Sequence, residues 1–147
     1  MHEPRNLQKT SDTADAALHS VRVVHCALLI SMILFASIAE IQAPHELQNL
    51  DKIFPLALGM CSLAIIGLAL FFRTKKLQPA VETLQSKPDD AMALRQWRTG
   101  SILTATLLEA VVLYGFVLRY LGAPMKVSLT FYVVGIALMV LWWPQRP

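Results

Sequence analysis

Charged residues are scarce in this chain: they make up 16% of its 147 residues, whereas 55% are hydrophobic. Soluble domains carry about a quarter charged residues, so this composition argues against an ordinary soluble domain. The apolar residues fall into four blocks, and the mean hydropathy is +0.50. The sequence therefore predicts an all-α membrane protein whose surroundings are the lipid bilayer.

Cysteine is also rare, and catalytic motifs are missing. The two cysteines, Cys26 and Cys61, lie inside apolar blocks without CxxC spacing, so we predict packing roles and no metal or disulfide. The sequence has no Gly-rich phosphate loop, nucleophile elbow or paired catalytic carboxylates. We therefore expect no cofactor, no catalytic residues and no enzymatic activity.

The four apolar blocks are long enough to cross a membrane. A helix needs about 20 residues to span a hydrocarbon core of about 30 Å. We predict a polar tail at 1–20 and a transmembrane domain at 21–147, built as two antiparallel hairpins joined by a cytoplasmic loop at 73–99. The predicted spans are 21–41, 53–72, 100–118 and 127–143. A cleaved signal peptide is the alternative for the first span, although the acidic residues before it argue against cleavage.

The basic residues predict the orientation. Lys52, Arg119 and Lys126 lie on one side of the predicted topology, and the other ten of the 13 Lys and Arg residues lie on the opposite side. Since cytoplasmic loops are enriched in Lys and Arg, both termini are predicted to be cytoplasmic. The net charge of +3 then reflects orientation and does not indicate nucleic-acid binding.

Local signals predict several helix ends. Asp12 begins a stretch that can cap the first helix. Pro79 can open a short interfacial helix in the loop. Asp89 and Asp90 favour a new helix start, from which a helix runs through Trp97 into the third span.

Glu109 is the ionisable residue nearest the middle of a predicted span. At a rise of 1.5 Å per residue it lies about 13 Å beyond Gly100, close to the membrane midplane. A charge at that depth costs about 2.5–3.5 kcal/mol on insertion scales, so we expect a protonated side chain that faces the bundle interior and bonds a hydroxyl group. The candidate partners are Ser31, Ser62, Thr106 and Tyr132.

The residues that follow Glu109 resemble a known helix. Glu109-Ala110, followed by Tyr114-Gly115 and Val117, is similar to the outer helix of the proteolipid c subunit of rotary ATP synthases, which has a pattern of the type Glu-Ala-x-x-x-Tyr-Gly-x-Val. The resemblance implies that Glu109 is an ion-carrying carboxylate. The spans lack that family's run of alternating glycines, and the loop lacks its Arg-Gln-Pro.

Two further sites are candidates. Glu40 and Arg119 end the two outward-running spans, so we predict an ion pair at the outer rim of the bundle. His25 lies one turn inside the cytoplasmic boundary, where we interpret it as an interfacial side chain that reaches toward water. It is the only histidine in a predicted span, so a haem held by two histidines of this chain is excluded.

Two functions remain open at this point. The favoured one is a small bacterial inner-membrane protein with a structural or assembly role, as a homo-oligomer or as a subunit of a larger complex. The alternative is a proton- or cation-coupled translocator, either rotor-like or a small exporter, that uses Glu109. A membrane enzyme ranks third, because no second polar residue lies at the middle of a span to assist acid–base chemistry.

Overall fold

A computed structural model describes residues 4–42, 53–87 and 90–145, with side chains from residue 14 onward in the first helix. Almost all of these residues are helical, and none of them forms a strand. The helices are α1 (Pro4–Gln42), α2 (Ile53–Phe72), a π-helical turn (Arg73–Leu77), α3 (Gln78–Ser86), α4 (Ala91–Tyr120) and α5 (Met125–Leu141). The predicted all-helical fold is confirmed for the described residues.

Three helical segments are long and apolar enough to cross a membrane, namely Ala14–Gln42, Ile53–Ser86 and Ala91–Tyr120. The fourth apolar helix, α5, has 17 residues, which is the lower limit for a span. The observed α2 has the bounds of the predicted second span. These features support a membrane protein.

Some helix ends differ from the predicted ones. Helix α1 already begins at Pro4, ahead of the predicted cap at Asp12, because the polar tail continues the helix. Asp90 caps α4 as predicted and accepts hydrogen bonds from the backbone N–H groups of Met92 and Ala93 at 2.9 and 3.0 Å. Asp89 lies outside the described residues.

The chain leaves α2 without a break. A π-helical turn leads directly into α3, which has Pro79 in its first turn as predicted. The π-helical turn itself was not predicted from the sequence. Such turns widen the helix by one residue and often occur at functional sites.

Helix α4 is the centre of the bundle, with its most extensive packing against α5 and α1 and further packing against α2. Close approach to α5 depends on glycines. A Cβ atom on Gly115 would lie 2.8 Å from Tyr132, and one on Gly135 would lie 2.5 Å from Val112. The turn between these two helices requires Gly122, whose φ of 84° is rarely adopted by other residues.

The first two helices do not pack against each other as the predicted antiparallel hairpin. Helices α1 and α2 both pack against α4, and direct contact between them is marginal at most. The physical reason is that helices in lipid associate through close packing and polar contacts, and α4 offers both to α1. The loop at 43–52 lies outside the described residues.

Two hydrophobic cores hold the helices together. The first lies between α1, α4 and α5 and includes Met32, Leu108 and Met139, each fully buried. The second, smaller core joins the beginning of α1 to α3 and the beginning of α4, where Trp97 is 2% exposed. The loop predicted at 73–99 is thus largely folded, and its helix α3 is fixed against α1 and α4.

Candidate functional site

Glu109 is hydrogen-bonded to the neighbouring helix α1. Ser31 Oγ donates to Glu109 Oε1 over 2.8 Å, and the pair is partly buried. Glu109 itself is half-buried, and Ser31 binds one of its two carboxyl oxygens. The contact connects the middles of the first and third predicted spans, 21–41 and 100–118.

The other three candidate partners lie elsewhere. Thr106 Oγ1 donates to the carbonyl of Ile102 in its own helix at 3.1 Å. Ser62 lines a groove whose floor is Val111, and Val111 leaves α4 about 200° around the helix axis from Glu109. Of the four hydroxyl groups that depth alone suggested, Ser31 is therefore the one brought to Glu109.

Tyr132, the remaining candidate, lies nearer the Arg119 end of α4. It packs against Gly115, between one and two turns beyond Glu109. Its hydroxyl group is buried and has no hydrogen-bond partner among the described residues. The tyrosine ring fills the α4–α5 contact and belongs to the first hydrophobic core.

Glu40 and Arg119 form an ion pair at one end of the same helices. Arg119 Nε lies 3.2 Å from Glu40 Oε2, and the two side chains are 13% and 29% exposed, respectively. Arg119 Nη1 also donates to the carbonyl of Ala123 at 3.2 Å, and therefore also binds the turn after α4. Next to this pair, Tyr120 Oη donates to Gln42 Oε1 at 3.0 Å.

His25 is buried and does not reach toward water. It is 4% exposed, and its Nε2 lies 2.9 Å from the carbonyl oxygen of Met139. Because a carbonyl oxygen only accepts, Nε2 is the ring nitrogen that carries the proton. Met139 is in the last turn of α5, where carbonyl groups lack partners within the helix, so His25 caps that helix. The ring also makes an edge contact with Trp143, at 5.1 Å between centroids.

The prediction that His25 reaches toward water is therefore wrong. No local signal in the sequence identifies its role, because the acceptor is a backbone carbonyl 114 residues away. The contact exists only once α5 lies antiparallel to α1.

No metal centre is built by the described residues. They contain no group of three or more His, Cys, Asp or Glu side chains that could hold an ion. Cys26 and Cys61 are free and lie on different helices. Both are exposed, so the prediction that they are packing residues is wrong, because the rotation of each helix turns its cysteine away from the bundle.

Comparisons with protein-family models, with curated proteins and with solved structures find no match to this chain.

Proposed function

We propose that this chain is a non-enzymatic, multi-pass protein of the bacterial inner membrane with both termini in the cytoplasm. Its role is structural: it assembles with copies of itself or serves as a subunit of a larger membrane complex.

The main support for this proposal is a groove between α2 and α5. It has a volume of about 530 Å³, its walls include Gly59 and Phe131, and its floor is Val111. Ser62 Oγ is buried beside it and has no hydrogen-bond partner in the described part of the chain. Apart from this buried hydroxyl group, the groove is walled largely by exposed apolar side chains, which a helix of another subunit can cover.

The packing of α2 agrees with this role. Only 11% of the most apolar stretch of the α2 segment is buried within the chain, compared with 39% for α4. Helix α2 is therefore the transmembrane helix with the most surface left for a partner. The polar groups of α1 and α4 meanwhile bind one another, as Ser31 and Glu109 do, and so act as ties within the bundle.

The test is the oligomeric state of the full chain in mild detergent, measured by native mass spectrometry. Gly59→Leu places a side chain in the groove, and Gly67→Leu is the matched control. Both glycines are in α2 and have open space around a Cβ atom, but Gly67 does not line the groove. We expect Gly59→Leu to reduce the assembled fraction and Gly67→Leu to leave it unchanged.

Two results would contradict an assembly role. One is a wild-type chain that is monomeric and copurifies with no stoichiometric partner. The other is an equal effect of both glycine variants, which would show that the groove is not where subunits meet.

The rival function is a proton- or cation-coupled translocator that uses Glu109. Two observations favour it: Glu109 is only half-buried, and Ser31 binds just one of its two carboxyl oxygens. A rotor-like or exporter protein needs such an accessible carboxyl group in the membrane. Ion flux into vesicles that contain the purified chain, present in wild type and lost in Glu109→Gln, would support this function.

A further inference from the structure

A polar cleft lies at the end of the bundle opposite the Glu40–Arg119 pair. It has a volume of about 440 Å³, within the usual range for small-ligand sites. Its walls come from α1, the π-helical turn, α3, α4 and the residues that follow α5. We call it the Arg73 cleft, after the cation that lines it.

Arg73 stacks on an aromatic ring at the cleft. Its guanidinium group lies over the ring of Trp142, with 5.0 Å between the guanidinium carbon and the ring centroid. It makes no ion pair with any described residue, although Glu82 lines the same cleft. A guanidinium group stacked on an aromatic ring is partly desolvated and still presents a planar set of N–H donors that suits phosphate oxygens.

The cleft has exposed polar side chains on its outer side, and its buried lining contains both polar and apolar side chains. Gln78 and Gln85 are exposed at its mouth, whereas Leu108 and Ala105, at its inner end, are buried. A ligand with a polar head and a partly apolar body suits this lining. Trp143 also lines the cleft, and tryptophan is enriched at the membrane–water interface.

The surrounding charge favours an anion. The described basic residues at this end of the bundle are Arg22, Arg73, Lys75, Lys76, Lys87, Arg95 and Arg98. The described acidic residues there are Asp15, Glu82 and Asp90. Of these, Asp90 already accepts two backbone hydrogen bonds as the cap of α4. Basic residues near an interface attract anionic lipid heads.

We propose that the Arg73 cleft binds the phosphate headgroup of an anionic phospholipid. Arg73 donates to the phosphate oxygens, the amide groups of Gln78 and Gln85 contact the rest of the head at the mouth, and the upper part of an acyl chain lies against the apolar inner wall. The site is independent of the α2–α5 groove, because the two share no lining residue.

The first test compares lipids on the purified full chain in detergent. Binding of phosphatidylglycerol and of phosphatidylcholine with the same acyl chains is measured by native mass spectrometry. We expect wild type to prefer phosphatidylglycerol by about fivefold or more, and Arg73→Gln to remove that preference. The matched control is Lys75→Gln, which neutralises an exposed cation in the same turn outside the cleft and should change binding by less than about twofold.

A second pair of variants leaves the contact between Arg73 and Trp142 intact. Gln85→Glu adds a carboxylate at the exposed mouth and should weaken phosphatidylglycerol binding several-fold. Gln96→Glu adds the same charge at an exposed position of α4 outside the cleft and should have little effect. Because both positions are exposed, neither change is expected to unfold the protein.

Three results would overturn the proposal. Equal binding of both lipids would show that the cleft does not select charge. Equal effects of a cleft variant and its control would place the lipid elsewhere on the basic surface. Binding of glycerol phosphate with the affinity of the whole lipid would identify a site for free phosphate compounds instead of a lipid site.

Discussion

Ser31 and Glu109, which share a 2.8 Å hydrogen bond, are 78 positions apart in the chain. The same separation recurs along the whole α1–α4 contact, between Ser20 and Arg98 and between Gln42 and Tyr120. The pair Glu40 and Arg119 is 79 positions apart. A constant separation means that α1 and α4 run parallel and in a fixed register, with a polar contact at each end and one in the middle.

The first prediction tests whether Glu109 is a structural tie between α1 and α4. Glu109→Gln keeps an acceptor for Ser31 and should change the free energy of unfolding by less than about 0.5 kcal/mol. Glu109→Leu removes the acceptor and should lower it by about 1–2 kcal/mol. Unfolding of the detergent-purified chain by sodium dodecyl sulfate measures both values.

Ser31→Ala provides the control for this tie. Its destabilisation should overlap with that of Glu109→Leu, so that the double variant loses less than the sum of the two single variants. Strict additivity would show that the hydrogen bond contributes nothing. A Glu109→Gln variant that is as unstable as Glu109→Leu would also contradict a simple tie.

The second prediction concerns the ion pair between Glu40 and Arg119. Reversing either charge should destabilise the protein, and reversing both should restore part of the loss, with a coupling of about 0.2–1 kcal/mol. Restoration is expected to be incomplete, because the hydrogen bond from Arg119 to the carbonyl of Ala123 is not rebuilt. Thermal unfolding in detergent at low salt measures the coupling. Independent single effects would mean that the pair has no energetic role.

The third prediction tests the close contact of α4 and α5. Gly135→Ala would place a Cβ atom 2.5 Å from Val112 Cγ2 and 3.3 Å from the carbonyl oxygen of Leu108. The Leu108 carbonyl belongs to the backbone of α4 and cannot move aside as a side chain can. We therefore expect a loss of about 1–3 kcal/mol in the free energy of unfolding. Gly67→Ala is the control, since its Cβ atom meets nothing within 4 Å, and its stability should stay the same or rise. Equal stability of the two variants would contradict this close packing.

The fourth prediction concerns topology. Reporter fusions after Lys76 and at the carboxyl terminus should report the cytoplasm, and a fusion after His45 should report the opposite side. The parallel course of α1 and α4 agrees with the number of spans and leaves the orientation to the fusions, because it requires only that both helices cross in the same direction. A fusion after Lys76 that reports the outside would contradict the four-span topology. Sequencing of the mature amino terminus adds a check, since a chain that starts at Glu40 would identify the first span as a signal peptide.

Local signals along the chain are enough to predict the helices and several of their ends. The bounds of α2, the cap at Asp90 and the short helix opened near Pro79 follow from hydropathy, side-chain oxygens and a missing N–H group. These are local properties, which act over a few residues and need no knowledge of the neighbouring helices. Depth in the membrane is also local, since it follows from counting residues along a helix.

Which helix faces meet is known only from the packing of the folded bundle. Depth suggested four hydroxyl partners for Glu109, and the rotation of each helix about its axis brought Ser31 to it. The same rotation buried His25 against the end of α5, turned Cys61 outward, and placed Arg73 over Trp142. Rotation is fixed by packing among several helices at once. Apolar residues surround most of each span, so the sequence contains little signal that selects one helix face over another.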